Sequence, residues 1–445
     1  MKSHLILQVP KQQDFENPAV ELDPKKLESW LGQLPLLNPE STARQLLVSI
    51  EPFNRRPMPV NNRFELAELY RETLVRIFPS TEDTAYVRNT REILKENMGK
   101  LCHEIADSFK IIVKQCYREK QTPDKSSLML RSAFRAMEML SLELLHSFRT
   151  YYPAPIFTYL EINQLYYLAE GNQVLDTPVK FERSQTGPSS IGLLYKMIMS
   201  LSASDPFHLD KGLALKLYEY LEQYAGHCLV KPVDLDDDSI KREEEYLFTD
   251  LEGDSPPTPI HKHSSDFEIE NPRIIDIRPM MEAIQKRKVE LEDLKTSTAT
   301  KELETGLIRL LLPLSEQPKE RQRPRKTITR PVRIAFGIEA AHNLLLVDDA
   351  RLAKIKTKGS KTYSLDPEDP LSPVLEPWAI INESINGHML VSKAPPEADI
   401  HVGDVISIID KPDKQSRKQL FTTLVRWLKH GEDKCVEIGT EIVPG

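Results

Sequence analysis

From about residue 23 to residue 230, apolar positions recur at every third or fourth place; from 316 onward they recur at every second. The first spacing belongs to one face of a helix and the second to a half-buried strand. Asp23-Pro24 sets a capping side chain before a proline at the first helical position, and Leu27, Trp30, Leu31 and Leu34 follow at helical spacing. Asn38-Pro39 repeats that start signal ahead of Ala43, Leu46, Leu47 and Ile50. A further helix runs through Phe64, Leu66, Leu69, Tyr70, Leu74 and Ile77 to its stop at Pro79. Within 85–118, Leu94, Met98, Leu101, Ile105, Phe109, Ile112 and Cys116 make one stripe. Leu128 to Phe148 is apolar over a wider arc, which predicts a helix buried on more than one side. Segments 156–170 and 190–203, then Leu213, Leu217, Tyr220, Leu221 and Tyr224, continue the pattern. No period of about 30–45 residues persists, so the expectation is an all-helical domain over 1–231 rather than a repeat array.

After Cys228 the pattern changes. Asp234 to Glu245 is acidic, and Asp254-Ser255-Pro256-Pro257-Thr258-Pro259 sustains neither helix nor central strand. Tyr246-Leu247-Phe248 and Ile274 to Ile277 read as short strands and Met280 to Leu294 as a helix, giving a small connecting α/β module over 232–315. In 316–445, Val332, Ile334 and Phe336 alternate with Arg333, Ala335 and Gly337. Trp378 to Ile381, Met389 to Val391, Asp404 to Ile409, Thr422 to Leu428 and Val436 to Val443 supply further strands. Short strands in this number suit a six-stranded barrel, which closes its own edges. A helical turn at Glu339 to Leu346 and an insertion at about 350–377, carrying Lys354, Lys356, Lys358 and Lys361, interrupt it. The fold class expected is multidomain α+β.

Composition narrows the chemistry. The 445 residues are 40% hydrophobic and 28% charged with a net charge of −8, so any anion site must be a local basic patch. Met1 to Leu7 lacks the apolar core of a signal peptide, and no window reaches the roughly 18–20 apolar residues of a membrane span. Cys102, Cys116, Cys228 and Cys435 have no metal-ligand spacing and read as reduced thiols of a cytoplasmic protein. Asp236-Asp237-Asp238 reads as a solvated acidic turn, and His261-x-His263 has no third metal ligand nearby. His103, His146 and His227 read as structural. With no nucleophile elbow, Walker loop or dinucleotide fingerprint, neither catalysis, a metal nor a cofactor is expected.

The local basic patch is Arg321-Gln322-Arg323-Pro324-Arg325-Lys326, followed by Arg330. No aromatics are interleaved with it, which argues against an RNA or single-strand stacking platform, and neither DNA nor RNA is expected as a partner. Downstream stands Asn382-x-Ser384-x-x-Gly387. Asn382 and Ser384 leave their strand on one face, and Gly387 would supply a positive φ to turn the chain back. Each feature alone has a plain reading, a solvated linker and a hairpin turn. Arg-x-x-x-Arg at 321 and 325 ahead of a strand, with Asn-x-Ser-x-x-Gly at the start of a later hairpin, together resemble the PilZ domain. Val402-Gly403-Asp404 and Val425-Arg426-Trp427 downstream strengthen the likeness. It covers roughly 316–445, and the whole chain looks like bacterial PilZ domain-containing proteins.

The resemblance implies a non-catalytic receptor for cyclic di-GMP. Its ligand offers two phosphodiesters, guanine edges and flat purine faces. Arginine is suited to all three, forking onto phosphate or onto O6 and N7 and stacking on a purine. The implied site is Arg321 and Arg325, with Lys326 and Arg330 as a closer pair at the same spacing, facing Asn382, Ser384 and Gly387. Asn382 would pair with a guanine edge and Ser384 with phosphate. Ligand capture would order the basic segment against the barrel and reposition the helical domain toward an unidentified protein partner. The alternative is a non-catalytic interaction scaffold whose degenerate barrel binds no nucleotide.

Overall fold

The computed structural model describes residues 5–13, 21–79, 88–124, 127–183, 186–233, 246–259, 270–293, 298–314, 325–344, 374–410, 419–431 and 433–443. Arg321, Asp236 to Asp238, His261, His263 and the 350–373 part of the insertion lie outside them. The chain divides into two compact units. One falls within Met1–Thr150, Ala154–Pro206 and Gly212–Pro318, the other within Tyr151–Pro153, Phe207–Lys211 and Lys319–Gly445.

The first unit opens with helices α1 (Pro24–Leu31), α2 (Pro39–Arg55), α3 (Val60–Ile77), α4 (Arg88–Arg118) and α5 (Leu128–Arg149). It continues with α6 (Thr158–Gly171), α7 (Ile191–Ala203) and α8 (Leu213–Leu221). The caps read from sequence are in place. The Asp23 carboxylate accepts from the Lys25 and Lys26 N–H groups, and Asn38 accepts from that of Ser41, satisfying donors that a helix start leaves orphaned.

Helix α5 is buried almost continuously from Met129 to Phe148, and its charges survive there because each is paired. The Glu138 carboxylate lies between Arg71, at 3.4 Å, and Arg135, at 3.0 Å. Glu143 meets His103 at 3.1 Å. Burial pulls His103 down, but the hydrogen bond and charge of Glu143 outweigh it and push the ring up to about 9. His146 bonds the Lys95 carbonyl at 2.7 Å, and burial holds it neutral, down to about 3.

A four-stranded sheet belongs to this unit, with β1 (Leu229–Pro232), β2 (Tyr246–Asp250), β3 (Thr258–Pro259) and β4 (Pro272–Asp276) in the order β1-β4-β2-β3. Helices α9 (Arg278–Asp293) and α10 (Ala299–Leu311) follow. The sequence reading omitted β1 and α10. β1 is exposed along most of its length and shows no alternation, and Gly306 and a polar start mask α10. No helix among the described residues is long and apolar enough to cross a membrane.

The second unit is a closed antiparallel barrel of β5 (Lys326–Phe336), β6 (Glu376–Ser384), β7 (Gly387–Ser392), β8 (Val405–Asp410), β9 (Gln419–His430) and β10 (Val436–Ile442). Around the barrel the order is β10-β7-β6-β5-β8-β9. Trp378, Ile380, Leu390, Ile406, Ile408, Val425 and Ile438 fill it, fully or almost fully buried.

The first strand starts at Lys326 rather than near Val332, so Arg325 immediately precedes it and Lys326 and Arg330 lie within it. Pro331 had disguised that start. It is tolerated because β5 pairs with β8 only from Arg333 to Phe336, leaving no second ladder in need of the missing N–H.

Two segments drawn from between helices complete the barrel unit. Tyr151 sits in its core, donates to the Leu209 carbonyl at 2.9 Å and accepts from the His430 N–H at 2.8 Å. Tyr152 stacks on the His430 ring at 4.4 Å.

Candidate ligand cleft on the barrel

Two irregularities in the ladders make a polar cleft on the barrel's outer face. On β6, Ile380 faces Leu390 but Asn382 faces Met389, so Ile381 is an extra residue. Were the strand to run through Ile381 without a bulge, Asn382 and Ser384 would keep the parity of Trp378 and Ile380 and point into the core. The bulge turns both outward. On β9, Trp427 faces Gly439 and Val425 faces Thr440, which makes Arg426 the extra residue there.

The resulting cavity is about 290 Å³ and is lined by Arg325, Asn382, Ser384 and Gly387 of the sequence-derived set. Arg426, Trp427, Gly439 and Glu441 form the opposite wall, with Asn386, His388, Met389, Thr440 and His208 completing it. Its size lies at the lower edge of the roughly 300–1,000 Å³ usual for ligand sites.

Individual side chains differ in readiness. Arg325 is exposed at the rim. The Ser384 hydroxyl donates to the Gly387 carbonyl at 3.3 Å, and the Asn382 amide rests 3.2 Å from the Met389 sulfur. His388 is buried with its Nδ1 lacking a hydrogen-bond partner, and burial lowers its pKa even though Glu383 and Asp410 pull upward. The indole of Trp427 lies across Gly439 so closely that a Cβ on Gly439 would collide with the ring.

Two members of the expected set sit elsewhere. Arg330 is held by Asp410, through 2.9 and 2.6 Å contacts, and by Glu383 at 2.8 Å. It ties β5, β6 and β8 together and does not line the cleft. Lys326 is exposed at the start of β5, opposite Glu383, and does not line it either.

Gly387 needs correction in its reason rather than its place. The positive-φ glycines among the described residues are Gly187, Gly212, Gly337 and Gly403. A Cβ on Gly387 would instead overlap the Thr440 carbonyl of the paired strand, so glycine is required for close approach. Sequence reading had noted Arg426 and Trp427 but assigned them no role, and it missed His208 and Glu441. Only strand pairing and barrel packing bring these groups beside Asn382 and Ser384.

Arg426 donates to Glu441 through Nε and a terminal nitrogen, each at 2.5 Å, with both side chains about half exposed. The carboxylate occupies the arginine as an incoming phosphate would. Glu441→Gln is expected to tighten binding of a phosphodiester ligand roughly 2- to 10-fold, because the replaced surface pair is weak and readily screened. Calorimetric titration at two salt concentrations checks this; equal or weaker binding would rule out competition by Glu441.

Fold and cleft thus define a multidomain α+β protein whose closed six-stranded barrel carries a compact polar site edged by arginines. Residues 25–233 match the family described as "Cyclic-di-GMP receptor FimW, N-terminal domain". Over 230 residues the chain is 27% identical to a curated relative, the cyclic-di-GMP receptor FimW of Pseudomonas aeruginosa; the alignment takes in 50% of this chain and 37% of that protein. The chain thus matches well under half the length of this relative. The family match falls before the barrel strands begin.

Proposed function

We propose that this protein is a bacterial, cytoplasmic receptor for cyclic di-GMP, with a PilZ-type barrel as its ligand-binding part. The observation that carries the proposal is convergence. Arg325 and the Asn382, Ser384 and Gly387 of the sequence motif line one outward cleft although some 57 positions separate the arginine from the asparagine. Support from outside the barrel comes from the similarity of residues 25–233 to the N-terminal domain of a cyclic-di-GMP receptor.

In this reading Arg325, joined by Arg321, forks onto the phosphodiesters. Ser384 donates to a phosphate oxygen in place of the Gly387 carbonyl, and Asn382 exchanges its sulfur contact for a guanine edge. The indole of Trp427, seated on Gly439, offers its other face to a purine. Lys326 adds positive potential at the rim. Arg330 keeps its carboxylate partners and acts by fixing the three strands it joins. No bond is made or broken, so the output is mechanical. Ligand binding biases the arrangement of the chain by its differential affinity, and the helical region passes this to a protein partner.

Calorimetry with cyclic di-GMP tests the reading on the intact chain and on Arg325→Ala and Ser384→Ala. Saturable binding is expected, weakened roughly 10- to 100-fold by Arg325→Ala, the usual cost of a charge-assisted hydrogen-bond pair. Ser384→Ala should cost less. If titration never saturates, the barrel is a scaffold that binds no nucleotide; affinity that survives both substitutions places the binding site outside this cleft.

A further inference from the structure

The connection between α7 and α8 belongs in part to the barrel unit rather than to the helices it joins. Phe207–Lys211 falls within that unit, and packing and hydrogen bonding fix it there. Phe207 packs against the barrel core, and the Lys429 ammonium lies 5.9 Å from the centre of its ring. Leu209 is buried, and its carbonyl accepts from the Tyr151 hydroxyl at 2.9 Å. Tyr151 is itself part of the barrel core.

His208 stands between these two anchors, at the end of one turn of 3-10 helix, Pro206–His208. Pro206 and Leu209 are buried and His208 is exposed. The turn is thus held by its neighbours, while His208, left in solvent, forms part of the cleft wall. The chemistry of that wall suits an anion. Arg325 and Arg426 line it, and Glu441, the carboxylate among its lining residues, is engaged by Arg426. An imidazole carries a ring N–H in either protonation state, so it can donate to a phosphate oxygen whether neutral or charged. A side chain on a turn already fixed in place loses little further freedom when it binds.

We propose that His208 is a ligand-contacting residue of the cleft, donating from its ring to a phosphodiester oxygen, and that the α7–α8 connection is thereby part of the nucleotide site. The inference rests on the receptor reading above. Its consequence is a route along the chain. Leu209 to Gly212 alone separate His208 from Leu213, where α8 begins, so a ligand held by the ring is tied to the helical unit through four residues.

Calorimetric titration of the full chain with cyclic di-GMP tests this on wild type, Arg325→Ala, His208→Ala and His208→Gln. His208→Ala should weaken binding roughly 3- to 10-fold, the net worth of one hydrogen bond. Its thermal midpoint should stay within about 2 °C of wild type, because the substituted side chain is exposed. His208→Gln keeps an N–H donor and should bind within about threefold of wild type. The ring nitrogen resonances of His208, identified by their absence from His208→Ala spectra, should shift when wild type is saturated with the ligand.

Absence of binding by wild type, or binding that Arg325→Ala leaves untouched, removes the ligand from this cleft and the inference with it. If Arg325→Ala weakens binding but His208→Ala does not, or the His208 resonances stay in place, the receptor reading stands and this inference alone falls. Equal weakening by His208→Ala and His208→Gln overturns it too, since the donor then contributes nothing.

Discussion

Gly387→Ala is expected to destabilise the barrel by roughly 2–4 kcal/mol, near the upper range for overpacking, and to abolish ligand binding at the cleft. The residue opens β7, paired with Ser384 on one side and Glu441 on the other. An added methyl would overlap the Thr440 carbonyl oxygen, which is backbone, and would also crowd the Thr440 carbon at 3.0 Å. Neither strand has freedom to retreat, because β10 is fixed to β9 on its far side. Separation of β7 from β10 would also split the wall that presents Asn386 and Thr440. Thermal unfolding followed by barrel tryptophan fluorescence should show a midpoint lowered by roughly 10 °C. Gly306→Ala is the control. Its Cβ would meet nothing within 4 Å, and it sits inside α10, where alanine is the better helix former by about 1 kcal/mol. An unchanged midpoint and intact binding in Gly387→Ala would refute the close-approach explanation.

Lys110→Met is expected to cost the helical unit roughly 3–5 kcal/mol, the usual result of stranding a buried charge. The ammonium is fully buried and lies 2.7 Å from both Asp107 and Glu161. Burial lowers the Lys110 pKa, but the two carboxylates more than restore it, so the lysine stays charged. Glu161 stays above its usual range, since burial outweighs both Lys110 and the Gln8 N–H. Its carboxyl should rise further once the ammonium is gone. The folded variant then binds more protons than its unfolded chain, so its stability recovers as pH falls through the raised pKa. Denaturant midpoints of variant and wild type should therefore converge as pH is lowered from neutral into the acid range. A difference that stays constant across that range would show packing, rather than an uncompensated carboxylate, to be the cause.

Much of the architecture was legible because it is set locally. Leu94 to Cys116 repeat at the helical period, and they line the buried face of α4. Asp23 and Asn38 announced helix starts because a cap reaches only two or three residues. Val332 and Ile334 flank the exposed Arg333, and they lie in the barrel core. The cleft was legible only as a set of residue types. Period-2 reading from Trp378 through Ile380 would have sent Asn382 inward, and nothing in the sequence marks Ile381 as the bulge that reverses it. Arg330 looked like a ligand arginine because its partners, Glu383 and Asp410, stand 53 and 80 positions away.

By itself, then, the sequence determined the helical and strand periods, the caps, the concentration of arginine near 321–330 and the motif at 382–387, all properties of neighbouring residues. Tertiary structure decided which of those arginines is committed to an ion pair, why Gly387 must be glycine, and that Trp427, Arg426 and Glu441 face Asn382 and Ser384. Those outcomes depend on strand register around a closed barrel, and register is fixed only when all six strands pair at once.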